Sequence, residues 1–396
     1  MSSFLKQAYA LEQEVINEVE ITDEDAVEVA GETEAARQEA EAMGSEINRA
    51  ISVHDELENQ NDTLAEIIEE KGEVTPEVAA VVEVARRTAA AGLGLDPEEE
   101  GQELVDAAGL ESMVANKGMV SLEEAKKSSK SLWEKIKGLW QAFVQRCKDF
   151  WNWLMKMTNF IDKKYKEAYE KIRNMSDEDF EAKVKALDQN SDQYKKVFEF
   201  LTPAGGLYDI DREANGLIKA VTNVNNDVLS AIKTAFGEID KDKGAVAKRV
   251  AEKVKGNVIN FGPVTFKIAS SSDKGLEVDS VFKQAKTATK LNFSRKDLER
   301  TLNAGSGVAR SIAEFNKGVN KSISEGDKAI EQAAKSATND KNAAVVEANT
   351  KRAVAVYSLV GSLQIKAGRF MNEGLKSYLA LAKKIISTKV EAKKEK

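Results

Sequence analysis

The stretch that decides the fold is Leu132-Trp133-Glu134-Lys135-Ile136-Lys137-Gly138-Leu139-Trp140-Gln141-Ala142-Phe143, continuing through Cys147, Phe150 and Leu154 to Ile161. Apolar residues recur every third or fourth place: Leu132, Ile136, Leu139, Phe143, Cys147, Phe150, Leu154, Met157 and Ile161. That period predicts a long amphipathic helix over about residues 129–174. A second stripe holds Trp133, Trp140, Val144 and Trp151, and all four tryptophans fall between Trp133 and Trp153. Lys and Arg at 135, 137, 146, 148 and 156 occupy the remaining face. Three readings of the aromatics stay open: packing into a core, an interfacial helix on a membrane surface, or docking to another protein.

Outward from this helix the chain continues mainly helical. Ser176-Asp177-Glu178-Asp179 places a capping Ser before acidic residues, which predicts a helix over 176–201. Thr202-Pro203-Ala204-Gly205-Gly206 breaks it, and helices are expected at about 211–237 and 243–255. Asn257–Phe261 and Val264–Ile268 flank Gly262-Pro263, which predicts a small β-hairpin. Ser270–Asp273 reads as a loop, with helices resuming at about 276–290, 294–304, 306–338 and 340–390. Ser294 with Asp297 three residues on forms a capping arrangement. Gly361, Gly368 and Gly374 are expected kinks in the last helix.

Toward the N-terminus, Ala36, Ala40, Met43, Ile47, Ile51, His54, Leu57, Leu64 and Ile67 approximate a helical seam over 32–71. Thr75-Pro76-Glu77 opens a second helix that Gly92-Leu93-Gly94 ends. The pair predicts an acidic helical hairpin. The expected fold is therefore mainly α. It is an elongated multi-helix protein with that hairpin, a lysine-rich helical body and one β-hairpin near 257–268. The expected divisions are an acidic leader at 1–124, Trp/Lys-rich helices at 125–202 and a basic body at 203–396.

Charge sharpens the first division. Residues 1–124 carry 32 Asp and Glu against 7 Lys and Arg, a net of −25. Residues 125–396 carry 34 against 51, a net of +17, so the whole-chain value of −8 describes neither part. The acidic part repels nucleic acid and the basic part attracts it. The sign changes within Ser121-Leu122-Glu123-Glu124-Ala125-Lys126-Lys127, after the small, mixed stretch Gly109–Val120, which is expected to be exposed.

Few enzyme classes have the residues they need. The sole histidine is His54 and the sole cysteine is Cys147, too few for a Cys–His pair with partners, a multi-histidine metal site or a disulfide framework. Ala304-Gly305-Ser306-Gly307 lacks the phosphate-loop pattern and reads as a joint between helices. Asp240-Lys241-Asp242-Lys243-Gly244 begins like a calcium loop but lacks the later Glu. No catalytic residue, metal site or cofactor is expected. No N-terminal signal peptide or spanning segment is expected either. Lysine far outnumbers arginine in the basic part, which suits phosphate neutralisation better than base reading. Candidate phosphate contacts are Lys383, Lys384, Lys389, Lys393 and Lys394.

The plan resembles that of internal head, or prohead core, proteins of T-even-like and jumbo tailed bacteriophages. The residues that carry the resemblance are the acidic leader, the junction Val120–Ser128, Ser131–Ile136 and the lysine-rich C-terminal helix. The resemblance implies a precursor whose acidic propeptide is removed by the prohead protease after a Glu. Leu122-Glu123-Glu124 fits a cut before Ala125, and Ser121-Leu122-Glu123 fits a cut one residue earlier. Implied partners are that protease, capsid or core proteins and double-stranded DNA, with the head interior as destination after assembly in the host cytoplasm. Two alternatives remain. One is an unprocessed scaffold whose acidic and basic parts pair between copies. The other is an ejected, membrane-active virion protein using Trp133, Trp140, Phe143, Phe150, Trp151 and Trp153.

Overall fold

The computed structural model describes residue 35 and residues 37–52, 122–187, 200–237, 242–282, 291–336 and 343–389. Among these, 78% are helical, in seven helices, with one three-stranded antiparallel sheet. The helices are α1 (37–52), α2 (Leu122–Arg173), α3 (Asp177–Ala186), α4 (Ile210–Gly237), α5 (Ala245–Lys253), α6 (Arg295–Ser336) and α7 (Ala343–Ser387). The strands are β1 (Asn257–Phe261), β2 (Val264–Ser271) and β3 (Gly275–Phe282). The second helix of the expected N-terminal hairpin, and His54, lie outside the described residues. The chain divides into two compact units. One comprises Glu39–Gln145, and the other Arg146–Lys396 together with Ser2–Gln38.

In the second unit α7 is the core. No residue from Val345 to Lys383 is fully exposed. It packs against α3, α4, α5, α6 and β3. A helix covered all round needs small residues where neighbours approach, and α7 supplies Ala353, Ala355, Ala367, Gly368 and Gly374 among Val354, Val356, Leu363, Ile365, Leu375 and Leu381. α4 turns one apolar stripe inward through Ala214, Leu217, Val221, Val228, Ala231, Ile232 and Ala235. Each large side chain buried in this way contributes about 1.5–3 kcal/mol before entropy is counted.

The caps behave as their sequences require. Ser176 Oγ accepts the Asp179 amide at 3.0 Å and opens α3. At α6 the exchange is reciprocal: Asp297 N donates to Ser294 Oγ at 3.2 Å and Ser294 N donates to Asp297 Oδ2 at 2.9 Å.

The hairpin at 257–268 is present, with Phe261 opposite Val264 across Gly262-Pro263. Gly262 has φ +52°, a backbone region that glycine enters without strain. Two expectations are corrected here. The segment 276–290 was expected to be helical, but Gly275–Phe282 forms β3 on the open edge of β2, with Ile268 opposite Val278. Its alternation Leu276-Glu277-Val278-Asp279 carries the strand period. The expected joint at Gly305 is also absent, because α6 runs unbroken from Arg295 to Ser336, and α7 likewise continues through Gly361, Gly368 and Gly374. Gly305 and Gly368 mark close approach instead. A Cβ on Gly305 would collide with the Tyr165 ring, and one on Gly368 would lie 2.9 Å from Trp151.

Candidate processing junction, aromatic face and basic residues

The charge switch coincides with a helix start. α2 begins at Leu122 rather than near 129, so Leu122, Glu123, Glu124 and Ala125 occupy its first turn. The first four amides of a helix have no partner within it, and the positive end of the dipole favours carboxylates. Glu123 and Glu124 stand where that field is strongest. The peptide bond after either Glu is therefore helical backbone, not an open linker. A terminal turn frays at close to zero cost, so this backbone can open by unwinding one turn rather than the fold. The stretch Gly109–Val120, expected to be exposed, lies outside the described residues.

Downstream, α2 presents one continuous buried seam: Ile136, Trp140, Phe143, Cys147, Phe150, Leu154, Met157, Ile161, Tyr165, Ala168 and Ile172. The steps are four and three residues in near alternation, the spacing of a coiled-coil face. The residues proposed as a membrane or assembly face divide across this helix. Trp140, Phe143, Phe150 and Trp151 are interior, at 3% exposure or less. Trp140 and Phe143 pair with centroids 5.8 Å apart. Trp151 sits edge-on between Phe150 at 5.4 Å and Phe315 at 5.3 Å, and Asn316 Nδ2 donates to its carbonyl at 3.3 Å. Trp153 is half-buried, with the Lys156 ammonium 3.8 Å over its ring. The Trp133 side chain lies outside the described residues. The same burial pushes the Cys147 thiol up, which makes it a poor nucleophile.

The candidate phosphate contacts fall at the end of α7. Lys383 is half-buried and Lys384 and Lys389 are exposed, whereas Lys393 and Lys394 lie outside the described residues. A lysine that charge counting did not single out holds this helix end. Lys183 Nζ donates to the carbonyls of Thr388 at 2.6 Å and Ile386 at 3.3 Å. It places a cation at the negative pole of α7 and ties α3 to it.

One buried polar cluster joins α4, α6 and α7. Ser322 Oγ donates to Asn225 Oδ1 at 2.6 Å and lies 2.8 Å from Tyr357 Oη. Gln364 Nε2 reaches the same Asn225 oxygen at 3.2 Å. Gly326 lets the Tyr357 ring approach, and burial pushes the Tyr357 hydroxyl up to about 12. The cluster carries hydrogen bonds but no group poised to exchange protons near neutral pH, so it fixes helix register. At the segment that begins like a calcium loop, Asp242 instead accepts from Gly244 N at 2.8 Å and from Lys248 Nζ at 2.6 Å, which starts α5. Among the described residues no group of three His, Cys, Asp or Glu side chains is placed to hold a metal ion, and no helix is long and apolar enough to cross a membrane.

Comparison of the chain with protein-family models, with curated proteins and with solved structures gave no match.

Proposed function

We propose that this chain is a structural protein of a phage head interior, made as a precursor. Its acidic leader is removed after Glu124 or Glu123, and the basic body is packaged with the genome. The observation that carries the reading is the reversal from −25 to +17 across the Glu124–Ala125 bond, in the first turn of α2. A body of that charge binds any polyanion through counterion release, without reading sequence. Attached to the leader it carries a net charge of −8 and is held back from nucleic acid until the leader leaves. The membrane-active alternative has less support, since four of its six aromatic residues are interior.

Mass spectrometry of mature virions tests the proposal. Peptides are expected almost entirely from beyond residue 124, with a new N-terminus at Ala125 or Glu124. Abundant peptides from residues 1–120 would overturn the processing. For the body, duplex DNA binding is expected to fall steeply between 50 and 200 mM salt, by roughly a factor of a thousand if six phosphates are engaged.

A further inference from the structure

The packing boundary and the charge boundary do not coincide. Charge reverses at residue 124, but the compact unit that holds residues 39–124 of the leader runs on to Gln145, while Ser2–Gln38 group with the other unit. The first half of α2, basic by sequence and retained after the proposed cut, thus shares a unit with the segment to be removed. Two described helical seams lie in that unit. On α1 the buried positions are Ala40, Gly44, Ile47 and Ile51, with Ala50 beside them. On α2 they are Ile136, Trp140 and Phe143, with Val144 beside them. Both seams step by three and four residues, as coiled-coil partners do. The two seams differ in volume: α1 carries the small Ala40 and Gly44, and α2 the large Trp140 and Phe143.

We infer that the leader is clasped to the body by an apolar seam between α1 and residues 136–144 of α2, and that this clasp outlasts the cut. Breaking the Glu124–Ala125 bond then yields a nicked two-chain complex, not a free basic body. Release of the leader is a second, separate step that requires the leader itself to be degraded or stripped away. Its biological setting rests on the processing proposed above, but the physical claim does not.

The test inserts a recognition sequence for a site-specific protease between Glu124 and Ala125 of the full chain. After complete cutting, the sample is run on a sizing column in 0.15 M and in 1 M NaCl. The leader is expected to co-elute with the body at both, because an apolar seam is insensitive to salt that screens surface charge beyond about 3 Å. Separation at either concentration would overturn the clasp, and separation at 1 M alone would show the link to be electrostatic. Hydrogen exchange of residues 136–145 in the nicked protein supplies a second reading. Protection equal to that of the uncut chain is expected, and its loss would overturn the inference. In an Ile47→Asp chain, cutting is expected to abolish the protection of residues 136–145 while exchange in α4 and α7 is unchanged. Virion peptides judge the processing and co-elution judges the clasp, so either can fail without the other.

Discussion

α2 and α7 are of similar length, 52 and 45 residues, yet they solve burial in opposite ways. α2 hides one seam and leaves charges on the other side, so its register is dictated by a strong period. α7 hides every side, and its partners on different faces dictate where Ala, Gly and Ser must stand. A one-sided helix is specified by its own sequence, whereas an all-round helix is specified by its neighbours.

The largest expected effect tests the seam of α2. Trp151→Ala removes a ring packed on Phe150, Phe315 and Gly368 and should cost about 3–5 kcal/mol in denaturant unfolding. Trp153→Ala, two residues on but half-buried, should cost about 1 kcal/mol or less. Equal losses would erase the distinction between the two faces. Next comes the interior of α7. Tyr357→Phe leaves Ser322 and its carbonyl without their tyrosine partner and should cost about 1–3 kcal/mol. A neutral result would mean that the buried polar cluster does not fix the position of α7.

Smaller effects sharpen the helix ends. Lys183→Met keeps the aliphatic stem but loses the cation on the last carbonyls of α7, for about 1 kcal/mol by thermal unfolding. The smallest concerns pH. Hydrogen bonds from the Ser294 hydroxyl and amide hold the Asp297 carboxyl below its usual range. Because the folded value is the lower one, the stabilisation is fully present above the ordinary Asp value of about 3.9 and is lost as pH falls through the folded value. Asp297→Asn should therefore destabilise most at neutral pH, and the gap to the native chain should close in acid. A gap that is constant with pH would remove Asp297 from the cap.

Legibility followed the same division. The seam of α2, the caps at Ser176 and Ser294 and the 257–268 hairpin were readable, because each is a local pattern with a local cause. Strand β3 was not, because Gly275–Phe282 gains its ladder only from the free edge of β2. Gly305 reads in sequence as a joint and Gly368 as a kink, yet the helices run through both. Their reason is an aromatic ring from a distant helix, Tyr165 on Gly305 and Trp151 on Gly368. Of the candidate residues, the junction rests on the charge reversal and the resemblance, while Lys183 carries no sequence signal because its task depends on where α7 ends.

By itself the sequence determined the helical class, the position of the strongest helix and the reversal of charge at residue 124, since period and charge are properties of neighbouring residues. Only the tertiary structure decided that α7 is the core, that most of the described aromatic face points inward and that the compact unit beginning at Glu39 extends past the charge switch to Gln145. Burial is a relation between segments far apart in the chain, and no local pattern encodes which segment will cover which.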